Sequence, residues 1–220
     1  MFEGYSDQTV DLFWNIRLIN EREWFHSQKE AFDSAVMKPT KALANELYDH
    51  LMQEYPKLPL NLHISRIYRD ARRLHGRGPL KDHLWFSFQT ATEKRDESPS
   101  VWFEVGCEGV QYGLGYWMRA ADAVRYRKLI DTKPKEMEKL VRTFDAQKEF
   151  VLDGAEYARP KGHVGDPLEH WYNKRWIALI ASRKYDDVCY SAQLAQTVKN
   201  GFDFLMPYFE FLDKVYHMAD

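Results

Sequence analysis

A cluster of basic residues in the first half of the chain has the side chains needed to bind an anion. Arg66, Arg69 and Arg72 recur at intervals of three, and Lys81 follows nine residues later. The guanidinium group offers a planar set of donors that fits a phosphate or a carboxylate. The sequence therefore predicts an anion site, while leaving open that Asp70 and nearby acidic helices pair these arginines as scaffold.

Two groups beside these cations could transfer a proton. A carboxylate or an imidazole next to positive charge can have its pKa tuned toward the working pH. Asp70 and His83 are therefore the general acid and base candidates, and the pattern leaves open whether the protein is an enzyme at all.

A second motif combines glycines with an indole. If residues 110–118 form a strand, alternation puts Gly113, Gly115 and Trp117 on one face, where the two missing side chains leave a shallow trough. Glycine inside a strand marks the close approach of a ligand or of another backbone, and a neighbouring ring could also fill the space. The motif differs from a dinucleotide fingerprint because position 118 is Met, where that pattern has its third glycine.

A third motif is an aromatic and basic loop. Residues 157–163 read Y-A-R-P-K-G-H, with Lys161 in their middle. Interleaved basic and aromatic groups can stack on bases or hold a phosphorylated ligand. They can equally be long side chains that cover an apolar surface.

The elements that must position these residues change from helical to strand periodicity along the chain. We predict a single α+β domain over 1–220, with helices over 6–55, a sheet-rich middle over 60–182 and a C-terminal helix over 191–217. The sheet is expected to be an antiparallel meander of about five to six strands, with helices over 120–130 and 134–144. Strands are predicted over 60–68, 84–90, 101–107, 110–118, 150–157 and 176–182.

Two local signals refine this prediction. Asn20 followed by Glu23 has the spacing of a capping box, which predicts the start of the second helix. Glu108-Gly109 between two strand patterns predicts a tight hairpin.

Composition excludes several classes of protein. A formal charge of -2 over 220 residues argues against a globally basic nucleic-acid binder, and two cysteines do not make a disulfide framework. The longest apolar run, residues 176–181, is far below the ~20 residues of a membrane span. We expect a cytoplasmic protein with no membrane partner; the histidines show no local metal-binding spacing and no motif points to a cofactor.

The charges are unevenly distributed, and this supports a second hypothesis. Residues 119–148 contain nine basic and five acidic side chains. The leading hypothesis is a basic, aromatic-lined cleft for a small phosphorylated or nucleotide-like ligand. The alternative is a non-catalytic interaction module that docks an acidic protein or RNA through its basic middle segments.

Taken together, the motifs resemble a mainly bacterial family, the domain of unknown function 2461. The resemblance rests on four segments in order: 20–25 (N-E-R-E-W-F), 66–72 (R-I-Y-R-D-A-R), 113–117 (G-L-G-Y-W) and 159–162 (R-P-K-G). Where the family has a K-x-P-Y-K segment, this chain places Arg77 and Lys81 at the two lysines and Leu80 at the tyrosine. The resemblance implies a single intracellular domain and assigns no catalytic role. It marks for attention Arg66, Arg69, Asp70, Arg72, Lys81, Gly113, Gly115, Trp117 and Lys161.

Overall fold

The computed structural model describes residues 1–74, 76–90 and 97–219, apart from the side chain of Arg73. Helices occupy both ends of the chain and the region between the fourth and fifth strands. The helices are α1 (Asp7–Ile19), α2 (Arg22–Ser27), α3 (Lys29–Phe32), α4 (Lys38–Glu54), α5 (Ala120–Thr132), α6 (Pro134–Asp145), α7 (Glu169–Tyr172) and α8 (Gln193–His217). The strands are β1 (Leu60–Ile64), β2 (His83–Thr90), β3 (Ser100–Gly106), β4 (Gly109–Tyr116), β5 (Val151–Asp153) and β6 (Ile177–Lys184).

The six strands form one antiparallel sheet in the order β1-β2-β3-β4-β6-β5. The first four strands follow one another as a meander, and β6 then pairs with β4. The fold is therefore α+β, as the sequence predicted. The hairpin between β3 and β4 is also confirmed, but its two loop residues are Cys107 and Glu108, because Gly106 pairs directly with Gly109.

The helices cover one face of this sheet. Helix α8 packs on β3 and β4 and also contacts α4 and α5, while α4 packs on β1. Alternate strand residues point into the core that results, among them Phe86, Phe88 and Phe103, which are fully buried. The intervening residues of β2 and β3 belong to the opposite face, where tryptophan and polar side chains surround a cavity.

Three predicted boundaries were wrong. The first strand ends at Ile64 instead of residue 68, since Tyr68 forms only an isolated bridge with Leu80. The strand predicted over 150–157 is confined to Val151–Asp153. Asn20 ends α1 in a left-handed conformation (φ 47°) and does not cap α2, whose N-cap is Glu21.

No helix in the described part of the chain is long and apolar enough to cross a membrane. Both cysteines, Cys107 and Cys189, are buried, and neither forms a disulfide bond. Burial raises the pKa of each thiol, to about 11 for Cys189, which keeps the sulfur protonated and unreactive.

Candidate functional site

The candidate site is a cavity of about 420 Å³ on the face of the sheet away from the helices. Its aromatic lining consists of four of the seven tryptophans in the chain: Trp85, Trp102, Trp117 and Trp176. Its polar lining comes mainly from alternate positions of β2 and β3 and from the turn before β3: Ser87, Gln89, Ser98, Ser100 and Glu104. The cavity therefore combines apolar rings with polar groups, one of which, Glu104, is a carboxyl group.

Lys81 and Arg66 do not themselves line this cavity, but Lys81 lies beside Trp85, which does. Its Nζ atom is 5.6 Å from the centre of the Trp85 indole ring, within the range of a cation–π contact. Burial, together with the positive charges of Arg69 and Arg66, lowers the pKa of Lys81 to about 8. Among the described residues, no carboxylate lies within ion-pair distance of this ammonium group.

The backbone that carries Lys81 is fixed by residues distant in sequence. Asn20 accepts a hydrogen bond from Leu80 N–H at 2.9 Å and donates one to Leu80 O at 3.1 Å. Arg69 Nε donates to the same carbonyl oxygen at 2.9 Å. Gly78 allows this approach, because a Cβ atom at that position would overlap the Asn20 side chain. These contacts hold the segment before Lys81 in one place.

The arginines of the predicted anion cluster separate into different roles. Arg66 is exposed, is close enough to Lys81 to lower its pKa, and has no ion pair with another described residue. Arg69 is largely buried, donates a hydrogen bond to the Leu80 carbonyl, and has its guanidinium 3.9 Å from the Asp82 carboxylate. Arg72 is 88% exposed and pairs with Asp70 at 2.8 Å, so these two residues satisfy each other outside the cavity.

Neither of the two predicted acid and base candidates lines the cavity, but His83 lies beside Glu104, which does. His83 Nε2 is 3.9 Å from Glu104 Oε2, and His83 Nδ1 is 3.2 Å from Asp82 Oδ1. Burial and the neighbouring Asp82 raise the pKa of Glu104, which lines the cavity directly opposite Trp85 on β3. Glu104 and His83 are thus the groups placed to exchange a proton with a molecule in the cavity.

Gly113 and Gly115 of β4 have different reasons for lacking a side chain. A Cβ atom on Gly113 would overlap the backbone oxygen of Leu179 in β6, so this glycine permits the close approach of another backbone. A Cβ on Gly115 would meet only Trp102, with Nε1 at 3.6 Å, and Gly115 lines the cavity. Trp117 is 67% exposed and stacks on Trp176 with their ring centres 5.3 Å apart.

Lys161 belongs to a separate cluster. Its Nζ lies 4.9 Å from the centre of the Tyr157 ring, which Arg127 and Arg175 also approach, at 5.5 and 6.0 Å. The backbone N–H of Lys161 donates to Asn173 Oδ1 at 2.8 Å. Lys161 does not line the cavity, and it contacts the ring of Tyr157, whereas Lys81 contacts the ring of Trp85.

Sequence reasoning missed several lining residues, although a signal for them was present. In β2 the residues Trp85, Ser87 and Gln89 alternate with core residues, and in β3 Trp102 and Glu104 do the same. Tryptophan and polar side chains at every second position of two neighbouring strands indicate a shared face that is not packed by helices. Among the described residues, no three His, Cys, Asp or Glu side chains gather in a way that could hold a metal ion.

Comparison with known proteins agrees with the resemblance seen in the sequence. No curated protein matches the chain. A family model does match, and it covers residues 8–211, which include Asn20, Arg66, Lys81 and every described residue that lines the cavity. The chain therefore belongs to the family of conserved hypothetical proteins DUF2461.

Proposed function

We propose that the protein binds a small anionic ligand that carries a ring, phosphorylated or nucleotide-like, in the tryptophan-lined cavity. Lys81 and Arg66 hold the anion, and the tryptophan side chains contact the ring. The observation that carries the proposal is the half-buried ammonium group of Lys81, placed beside two arginines with no carboxylate within ion-pair distance in the described chain. Gathering like charges without a partner costs free energy, and an anionic ligand offsets that cost.

Processing of the ligand would draw on Glu104 and His83. Burial raises the pKa of the Glu104 carboxyl, which makes it a stronger base than an exposed glutamate, and the imidazole of His83 at 3.9 Å can exchange a proton with it. This pair replaces Asp70 as the acid and base candidate, because the Asp70 carboxylate is engaged by Arg72 outside the cavity.

The alternative, an interaction module that docks through residues 119–148, has weaker support. Arg119 and Arg125 both pair with the buried Asp122 at 2.9 Å, and Lys133 lies 3.6 Å from Glu136. These internal pairs neutralise part of the positive charge on which an acidic protein or RNA would depend. We also propose a cytoplasmic location, which the two free, buried thiols support.

The test compares Arg66 with Arg72, which the sequence analysis placed in the same predicted anion cluster. Binding of inorganic phosphate and phosphate monoesters is measured by calorimetry at low and moderate salt for wild type, Arg66→Ala and Lys81→Met. Arg72→Ala is the matched control, because its guanidinium pairs with Asp70. We expect the first two variants to weaken binding about tenfold or more, the loss of one charge-assisted contact, and the control to bind like wild type.

Two results would overturn the proposal. One is equal binding by wild type and Lys81→Met. The other is binding of every polyanion to the same extent, abolished by moderate salt, which is typical of a diffuse electrostatic surface.

A further inference from the structure

Two polar side chains that line the cavity have no hydrogen-bond partner among the described residues. Ser87 and Gln89 are only 5% and 6% exposed, and in the described part of the chain neither side chain forms a hydrogen bond. Their polar atoms are not among the fully enclosed, unpartnered ones, so they remain open to the cavity. The hydroxyl of Ser98 is also without a described partner, but it is fully enclosed and does not reach a bound molecule in this conformation. Ser87 and Gln89 are therefore suited to hydrogen bonds with a ligand.

These groups are neutral, and together they can both donate and accept hydrogen bonds. Gln89 offers an amide with two donors and an acceptor, and Ser87 offers a hydroxyl that does both. A ligand with several hydroxyl groups matches such a set, whereas a purely aromatic ring would leave the same groups unsatisfied.

The rings around the polar groups fit the same ligand. Trp102 pairs with Ser87 on β2 and Gly113 on β4, and its indole nitrogen lies close to Gly115. A saturated sugar ring presents apolar C–H faces to an indole and hydroxyls at its edge, which is the combination of surfaces found here.

The length of the cavity leaves room for both an anion and a sugar. Glu104 and Ser100, four residues apart on β3, both line it, so it extends over roughly 13 Å at the usual rise of a strand. Lys81 lies at the end near Trp85, and Gln89 and Ser98 lie toward the other end.

We propose that the cavity binds a phosphorylated sugar, free or as part of a nucleotide, with its hydroxyl groups bound by Ser87 and Gln89 and its ring packed on Trp102. This inference rests on the proposed function for the position of the phosphate. The hydroxyl-binding groups are a separate observation, so the two can fail separately.

The test uses three phosphate monoesters: ribose 5-phosphate, glucose 6-phosphate and phenyl phosphate. Calorimetry should show at least one of the sugar phosphates binding about tenfold more tightly than phenyl phosphate. Gln89→Leu should abolish that preference while leaving phenyl phosphate binding unchanged. The matched control is Gln111→Leu, since Gln111 is on the same sheet face but outside the cavity, where it donates to Ser182 at 3.1 Å.

Equal or tighter binding of phenyl phosphate would overturn the inference and leave the proposed function standing. If none of the three monoesters binds, the proposed function and the phosphate part of the inference both fail, and the sugar-binding part is then decided with ribose and glucose alone. In that case the indole N–H signal of Trp102, assigned with Trp102→Phe, should shift in the ¹H–¹⁵N spectrum of wild type. An unmoved signal with both neutral sugars would reject the sugar site.

Discussion

The side chain of Asn20 exchanges two hydrogen bonds with the backbone of Leu80, sixty residues away, and so connects the end of α1 to the segment that carries Lys81. An amide is required for this, because it donates to the carbonyl and accepts from the N–H at the same time. Leu80 is fully buried, so neither backbone group has water as a substitute partner. Asn20 is therefore a positioning residue for the candidate anion site.

Replacing Asn20 by glycine is expected to destabilise the protein by about 1–3 kcal/mol, because the buried Leu80 N–H loses its partner and the Leu80 carbonyl keeps only the hydrogen bond from Arg69. Glycine is the appropriate variant because Asn20 has a left-handed backbone, which glycine adopts without strain and alanine does not. Urea unfolding measures the stability, and phosphate titration should show weaker binding because Lys81 is no longer held. Wild-type stability in Asn20→Gly would contradict this role.

Lys81→Met should stabilise the unliganded protein at pH 7 by about 1 kcal/mol, a value that allows for solvent screening of the partly exposed ammonium group. The folded pKa of Lys81 is about 8, below the ordinary 10.5, so the folded state carries the cost of a charged Lys81 at neutral pH. Between pH 8 and 10.5 the unfolded chain binds more protons, and wild-type stability rises with pH. The advantage of Lys81→Met should therefore shrink over that window.

Unfolding curves at pH 7 and pH 10 test this prediction. Lys128→Met, at an exposed position of α5, serves as the control and should show no comparable pH dependence. A Lys81→Met protein that is less stable than wild type at pH 7 would mean that the ammonium group has a favourable partner in solution.

Glu104→Gln should improve both stability at neutral pH and affinity for phosphate. The pKa of Glu104 lies above its ordinary 4.5, so wild-type stability falls as the pH rises through the folded pKa and the carboxyl ionises in the protein. The glutamine variant has no such loss, and it also removes a negative charge from the neighbourhood of Lys81. Urea unfolding at pH 4 and pH 7 should show a difference from wild type that grows with pH.

The exposed Glu30→Gln is the control for this comparison. A Glu104→Gln protein that binds phosphate more weakly than wild type would show that the carboxylate contributes to the site in another way.

The secondary structure was largely predictable because periodicity reports which face of an element is buried. Alternation predicted the bounds of β2, β3 and β4 to within one or two residues. Glycine and charge patterns singled out Gly115 and Lys81 as candidate site residues. Periodicity could not predict the contacts of the arginines, because they lie in the turns between β1 and β2. There Arg72 pairs with Asp70, and Arg69 donates a hydrogen bond to the Leu80 carbonyl. Asn20 looked like a helix cap because its spacing to Glu23 is local, whereas its partner Leu80 is brought to it only by the tertiary fold.

Gly113 and Gly115 of β4 provide a matched pair that separates folding from binding. Gly113→Ala should destabilise the protein by about 2 kcal/mol or more, because the added methyl overlaps the backbone oxygen of Leu179 and the two strands must move apart. Gly115→Ala should leave stability within about 0.5 kcal/mol of wild type, since its Cβ makes ordinary contact with Trp102. The methyl group instead enters the cavity and should weaken sugar phosphate binding. Unfolding and titration of both variants check this, and a Gly115→Ala protein with unchanged affinity would place the ligand away from β4.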